Sequence, residues 1–129
     1  FYFFNTHLDH IGKTARAESL KLIAARIGGI NTKETPVILT ADFNSRTTDA
    51  CFAPLHACMA DARAEAPLTD DKPSWNGYGR KSAPNWLDHI FFAGKGCRAI
   101  EFRTLTGDYG APYISDHYPV AAWFRCSND

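Results

Sequence analysis

Pro36-Val37-Ile38-Leu39-Thr40-Ala41-Asp42-Phe43-Asn44 is the stretch on which the fold turns. Pro36 to Thr40 reads as a short apolar strand that opens directly into a carboxylate and an amide. Asp42 and Asn44 stand two residues apart, so an extended backbone aims both the same way. Phe1-Tyr2-Phe3-Phe4 and His89-Ile90-Phe91-Phe92 share the nearly unbroken apolar character of Val37-Ile38-Leu39. A strand with that pattern is covered on both faces.

Outward from these strands, residues 12–28 predict a helix. Ala17, Leu20, Ala24 and Ile27 recur at helical spacing, while Lys13, Arg16, Glu18 and Lys21 supply much of the polar side. Gly28-Gly29 is expected to end it. Thr47-Thr48-Asp49 offers caps for a short helix through about Cys58. Ser74 to Gly79 reads as a short strand and then a loop, and Trp86 to Ala93 as a strand. Arg98 to Leu105 and Tyr118 to Phe124 read as strands separated by a loop over 106–115. Helices alternate with strands early, then strands follow strands. That order predicts a layered α/β sandwich with mixed sheets.

A chain of 129 residues fits one domain with a real core. Its 14 Lys and Arg balance its 14 Asp and Glu, so no broad basic field is present to hold a long polyanion by charge alone. No apolar run approaches the ~20 residues of a membrane span. Cys51, Cys58, Cys97 and Cys126 show no zinc spacing and read as buried free thiols, a disulfide being the alternative that an oxidising compartment would allow. The sequence starts without methionine and already inside an apolar run, which reads as a piece of a longer protein.

Four segments place polar residues at the ends of apolar strands, where loops build active sites. In Asn5-Thr6-His7-Leu8-Asp9-His10, a strand puts Asn5, His7 and Asp9 on one face and His10 on the other, which disfavours a zinc pair from the two histidines. Asp42 with Asn44 suits a site that orients water, binds a cation or donates to an oxyanion, although an Asx-turn would use the same residues. Asp88, in Trp86-Leu87-Asp88-His89-Ile90-Phe91-Phe92, is a carboxylate inside an apolar strand and needs a partner; His89 points away from it and reads as structural. In Ser115-Asp116-His117-Tyr118-Pro119-Val120, an acid–histidine pair precedes the last strand without an obvious packing purpose. Together these residues form a divalent-cation hydrolysis pattern, and oxygen ligands favour Mg2+ or Mn2+ over zinc.

N-T-H-L, A-D-F-N, L-D-H-I-F and S-D-H-Y-P-V, in this order from Asn5 to Val120, resemble the successive motifs of the endonuclease/exonuclease/phosphatase superfamily. That family includes deoxyribonuclease I-like nucleases, abasic-site endonucleases, inositol-polyphosphate phosphatases, neutral sphingomyelinases and deadenylases. Ala41 departs from the glycine that usually precedes the second-motif aspartate. The resemblance implies a four-layer α/β/β/α sandwich about twice this length. Residues 1–129 would be the C-terminal part of that single domain, and a metal-ligating glutamate would lie in the other half. It implies water attack on a phosphoester, as a phosphodiesterase or phosphomonoesterase. His117 would be general base, Asp88 would orient it, and His7 and Asn44 would donate to phosphate oxygens. Asp42 would activate water or bind metal, Asp116 would stand on the metal side, and Asn5 would join the same pocket.

Substrate contacts are expected from the loop Ser74 to Lys81, through Trp75, Asn76, Tyr78 and Arg80, with Tyr109 and Tyr113 as weaker candidates. A phosphorylated small molecule, a lipid head group or a nucleic acid are the substrate classes; balanced charge leans away from long duplexes. A catalytically inactive binding or scaffold protein that keeps the fold is the alternative, and an unrelated self-sufficient domain is a third. Self-association through an exposed half-sandwich is a further expectation.

Overall fold

The computed structural model describes residues 1–80 and 83–127. Its elements are β1 (Tyr2–His7), α1 (Lys13–Ile30), β2 (Val37–Asp42), α2 (Ala53–His56), β3 (Ala60–Asp61), α3 (Ala62–Glu65), β4 (Asp88–Ala93), β5 (Cys97–Thr104) and β6 (Val120–Cys126). Short 3-10 turns occupy Ala50–Phe52 and Gly77–Gly79. One sheet has the order β1-β2-β4-β3; β1 runs parallel to β2, and the other pairings are antiparallel. β5 and β6 form a separate antiparallel ribbon.

Alternation along β2 separates two cores. Val37, Leu39 and Ala41 face Leu20 and Ile27 of α1 and Leu55 of α2, with Phe43, Phe52 and Phe91 in the same cluster. On the opposite face Ile90 and Phe92 of β4, with Ile38 of β2, meet Ala99 and Phe102 of β5 and Val120, Ala122 and Phe124 of β6. Helices, mixed sheet and ribbon are thus stacked layers of an α/β sandwich, as the sequence predicts. The central strands have no wet face because a layer lies on each side.

The structure corrects four readings. β1 is not a buried strand: Phe1 is 86% and Phe3 59% exposed, because the layers that cover β2 and β4 do not cover its start. Gly28 and Gly29 do not end α1; the stop comes at Asn31, whose side chain donates to the Thr35 carbonyl and accepts from the Thr35 N–H. Two of the cysteines are not free: the β5–β6 register sets Cys97 opposite Cys126, and they form a disulfide. Cys58, read as buried, is exposed. No helix among the described residues is long and apolar enough to cross a membrane.

Residues 59–73, for which the sequence offered no reading, form β3, α3 and a polar clamp onto β5. Asp61 caps α3 by accepting from Arg63 N–H at 2.9 Å. Asp70 accepts from the Thr104 N–H at 2.8 Å and from the Lys72 N–H at 3.1 Å. The Arg63 guanidinium donates to the Asp70 carboxylate and to Thr104 Oγ1, and it covers the Phe102 ring. Burial alone would raise the Asp70 carboxyl, but the Thr104 and Lys72 N–H groups and Arg63 outweigh it and hold it below its ordinary 3.8. The native carboxyl therefore loses its proton more readily than the unfolded one. Its stabilisation is present above pH 3.8 and fades as the pH falls through the lower native value. We expect Asp70→Asn to destabilise the fold at neutral pH, by denaturant titration, and the gap from wild type to shrink on acidification below that point; a gap independent of pH would contradict this.

Candidate active site

Strand register assembles the site. The β1–β2 pairing sets His7 beside Asp42, and the β2–β4 pairing sets Asp42 beside Asp88. Register partners share a face, so the three side chains form one transverse row at the sheet's end. It is the face carrying Ile38, Ile90 and Phe92, against which the ribbon packs. His89 follows Asp88 and therefore points to the helix side. There it is 3% exposed, packs against Phe43 and Phe52, and lies 3.0 Å through Nε2 from the carbonyls of Ser45 and Trp86. Burial holds its pKa below 6.5, so the ring is neutral.

Asp42 is engaged on both oxygens. Its Oδ1 accepts from the Asn44 N–H at 2.9 Å, and its Oδ2 lies 3.1 Å from His7 Nε2 and 3.9 Å from His117 Nε2. Asn44 adopts a left-handed backbone, φ 50°, which asparagine tolerates better than most residues. That bend returns its amide to donate to the Leu8 carbonyl at 2.8 Å, with the same nitrogen 3.0 Å from His7 Nε2. His7 Nε2 thus stands between an acceptor, Asp42 Oδ2, and a donor, the Asn44 amide, and its protonation decides which of the two contacts is a hydrogen bond.

His117 arrives from the loop before β6. Its Nδ1–H donates to Asp88 Oδ2 at 2.6 Å, which fixes the tautomer and leaves Nε2 as a free lone pair on the Asp42 side. Ligand atoms of Asp42, Asp88 and His117 lie within 4.8 Å of one another, a spacing that suits a divalent cation. With Nδ1 committed, the available donors are mainly carboxylate oxygens, which fit Mg2+ or Mn2+. The Asp116 carboxylate is outside this group; it takes a 3.4 Å contact from Ser115 Oγ, while its carbonyl accepts from Asn76 and Gly77 N–H groups.

The structure thus brings His7, Asp42, Asn44, Asp88 and His117 together. Asn5 lies one row behind them, accepting from Thr40 Oγ1 at 2.8 Å. The expected contact loop is dispersed. Trp75 packs under Gly77, where a Cβ would come within 2.9 Å of its ring, and bridges Asn85 and His117 through its backbone. Asn76 spends its side chain on Tyr78 N–H and on the Ser115 carbonyl. Tyr78 and Arg80 are exposed, and Lys81 lies outside the described residues.

One residue escaped the sequence reading. Ser74 is fully buried, and its Oγ accepts from the N–H groups of Leu87 and Asp88, each at 3.1 Å. Its carbonyl accepts from the Tyr118 N–H at 2.7 Å. Ser74 therefore joins the segment bearing Asp88 to the segment bearing His117. A lone serine between Pro73 and Trp75 carries no sequence signal for that role.

No protein-family model matches this sequence, and no curated protein matches it. Solved structures do. A mannosyl-6-phosphatase from Bacteroides thetaiotaomicron superposes over 95% of this chain and 50% of its own, with 27% identity and a TM-score of 0.79. An endonuclease/exonuclease/phosphatase protein from Bacteroides vulgatus does so over 96% and 50%, with 25% identity and a TM-score of 0.81. Beta toxin from Staphylococcus aureus, solved with bound magnesium ions, shares the fold at 19% identity over 92% and 51%, with a TM-score of 0.68. The chain is thus similar in fold to endonuclease/exonuclease/phosphatase family proteins, the superfamily that its motifs resemble. The chain spans about half the length of the structures it matches.

Ser74→Ala should leave the Leu87 and Asp88 N–H groups buried without acceptors and cost about 2 kcal/mol in denaturant titration. Ser74→Thr, which keeps the oxygen, should cost clearly less; equal losses would argue against the hydrogen bonds as the cause.

Proposed function

We propose that this chain supplies the catalytic groups of a divalent-metal-dependent phosphoester hydrolase that works by direct water attack. The observation that carries the reading is His117: Nδ1 is held by Asp88 at 2.6 Å, and Nε2 is turned, unpaired, toward Asp42. An imidazole so held is a base with a fixed direction. As water forms its bond to phosphorus, its proton passes to His117 Nε2, the bond to the alcohol oxygen breaks, and that oxygen takes a proton from solvent. Asp88, bonded to Nδ1–H, holds the ring in place as Nε2 takes the proton. His7 and the Asn44 amide, on the same face, would donate to phosphate oxygens as their charge rises.

Asp42, with Asp88 beside it and Asp116 from the neighbouring loop, would hold Mg2+ or Mn2+. The ion would supply positive charge against the phosphate oxygens. On the half-length match, we propose that residues 1–129 are the C-terminal part of one domain whose other part adds a further metal ligand.

A small phosphorylated molecule is the favoured substrate, over a lipid head group or a nucleic acid. The sequence carries no net charge with which to hold a long polyanion. The similarity to a mannosyl-6-phosphatase supports a phosphomonoester.

The test is hydrolysis of a phosphomonoester and a phosphodiester with Mg2+ or Mn2+, against a chelated control. His117→Ala and Asp42→Ala should each lower turnover by ~10²-fold or more, the scale of a lost general base or charge stabiliser. Near-normal turnover in both variants would overturn the assignment. No turnover by residues 1–129 is expected if the other part of the domain is required, so only inactivity of the intact protein would favour the scaffold alternative.

A further inference from the structure

A cleft of about 180 Å³ is lined by none of the residues of the Asp42–Asp88–His117 row. Arg46, Thr47 and Thr48 reach it from the turn after β2, Trp86 and His89 from either side of Asp88, and Arg63 from α3. Buried polar groups without partners are rare and call for an explanation. Among the described residues three side-chain nitrogens are buried with no hydrogen-bond partner: Arg63 Nε, Trp86 Nε1 and His89 Nδ1. All three belong to residues that line this one cleft. The His89 pKa is held down first by burial and also by the Arg63 charge, so the two side chains lie close together.

The hydrogen-bonding sense of each nitrogen is fixed. Arg63 Nε and Trp86 Nε1 carry an N–H and can only donate. His89 Nε2 lies 3.0 Å from two carbonyls, which only accept, so the proton of the neutral ring sits there. His89 Nδ1 is therefore a lone pair that needs a donor. The charge of the wall is positive, with two guanidiniums against one carboxylate, that of the exposed Asp71. Arg63 is paired with Asp70, outside the cleft lining. Arg46 lies over the Trp86 ring at 4.9 Å and donates at 2.8 Å to the neutral Pro84 carbonyl. No carboxylate pairs with its side chain among the described residues, so its charge is available.

An apolar ligand would leave all three nitrogens unsatisfied, and the guanidiniums repel a cation. Sulfate would serve the two donors but would turn an oxygen lone pair toward Nδ1. A tetrahedral oxyanion that keeps an O–H answers all three, and the cleft holds far more than one water needs. We propose that this cleft is a second ligand site, which binds a hydrogen phosphate group: its oxygens accept from Arg63 Nε–H and Trp86 Nε1–H, its hydroxyl donates to His89 Nδ1, and Arg46 supplies countercharge. The group is either free phosphate or the end of a small phosphomonoester. The proposal does not rest on the hydrolase reading.

The test follows the Trp86 indole N–H by NMR in the 15N-labelled intact protein, with a chelator present so that no cation holds phosphate at the carboxylate row. Trp86→Phe assigns the signal by deleting it. Inorganic phosphate at neutral pH should move that signal saturably, with an affinity at least about tenfold above that of sulfate at equal ionic strength. Arg46 is exposed, so Arg46→Gln should keep the fold and weaken phosphate by about tenfold. His117→Ala should leave the titration unchanged, because that ring belongs to the other site. Glycerol phosphate, titrated in parallel, separates the two sources: binding as tight as phosphate supports a phosphomonoester end, and binding of inorganic phosphate alone supports the free ion. No shift with phosphate, an equal shift with sulfate, or a titration lost in His117→Ala would overturn the proposal, the first of these leaving water as the partner of the three nitrogens.

Discussion

Two carboxylates facing each other across paired strands set the terms for everything else here. Asp42 and Asp88 are register partners on one face, and like charges so placed repel. A fold keeps such a pair only if the surroundings compensate or if holding a positive partner is its purpose. His7 and the Asn44 N–H answer Asp42, and His117 answers Asp88. The apolar strands make the pair unavoidable. With Leu39 and Phe91 fixed against the helices, and Ile38 and Phe92 against the ribbon, a slip of one residue would turn each strand's apolar side chains to the wrong layer. It would also replace Asp88 by His89 in the row. The cost of moving the carboxylates apart is the cost of both cores.

How much of this could be read in advance follows from which forces are local. Alternation and apolar runs placed β1, β2 and β4, and the same alternation turned His89 away from Asp88; that His7, Asp42 and Asp88 share a side follows only from the strand register. The motifs brought His117 to the site although its loop has no periodicity. What sequence could not show depends on partners far along the chain. Ser74 matters because of the Leu87 and Asp88 N–H groups. Cys97 meets Cys126 only once β5 and β6 are in register. The segment with Asp61, Arg63 and Asp70 has too few apolar residues in rhythm to announce itself, and it is held by a charge and hydrogen-bond clamp that composition does not reveal. The double glycine in α1 misled for the opposite reason: a local preference was outweighed by continuing helix, with Asn31 providing the actual stop.

The substrate loop shows the same division. Trp75 and Asn76 have the composition of a recognition loop, yet their contacts are largely internal: ring under Gly77, amide to backbone. They build the frame rather than the contact surface. Tyr109 and Tyr113, which line a cavity beside His117, belong to the following loop and ranked lower by composition, although Tyr113 stands only two residues before the Ser115-Asp116-His117 motif.

Asp88 is held from both sides of its sheet by groups that take no part in the row itself. On the site face, Ser74 fixes the backbone N–H of Asp88 while its carbonyl anchors Tyr118, the residue after His117. On the reverse face, the neutral His89 places Nε2 3.0 Å from the carbonyls of Ser45 and Trp86. Those carbonyls belong to the turn after Asn44 and to the approach to Asp88. One buried imidazole therefore links the same two segments that carry the Asp42–Asn44 pair and Asp88. This explains why full burial and neutrality suit His89 while partial burial and a free lone pair suit His117. A ring that donates its single N–H to backbone carbonyls gains nothing from a second proton, whereas the base proposed at His117 needs an open nitrogen and a carboxylate behind it. Adjacent positions 88 and 89 thus serve one arrangement: Asp88 holds the His117 ring, and His89 ties together the two segments beside it.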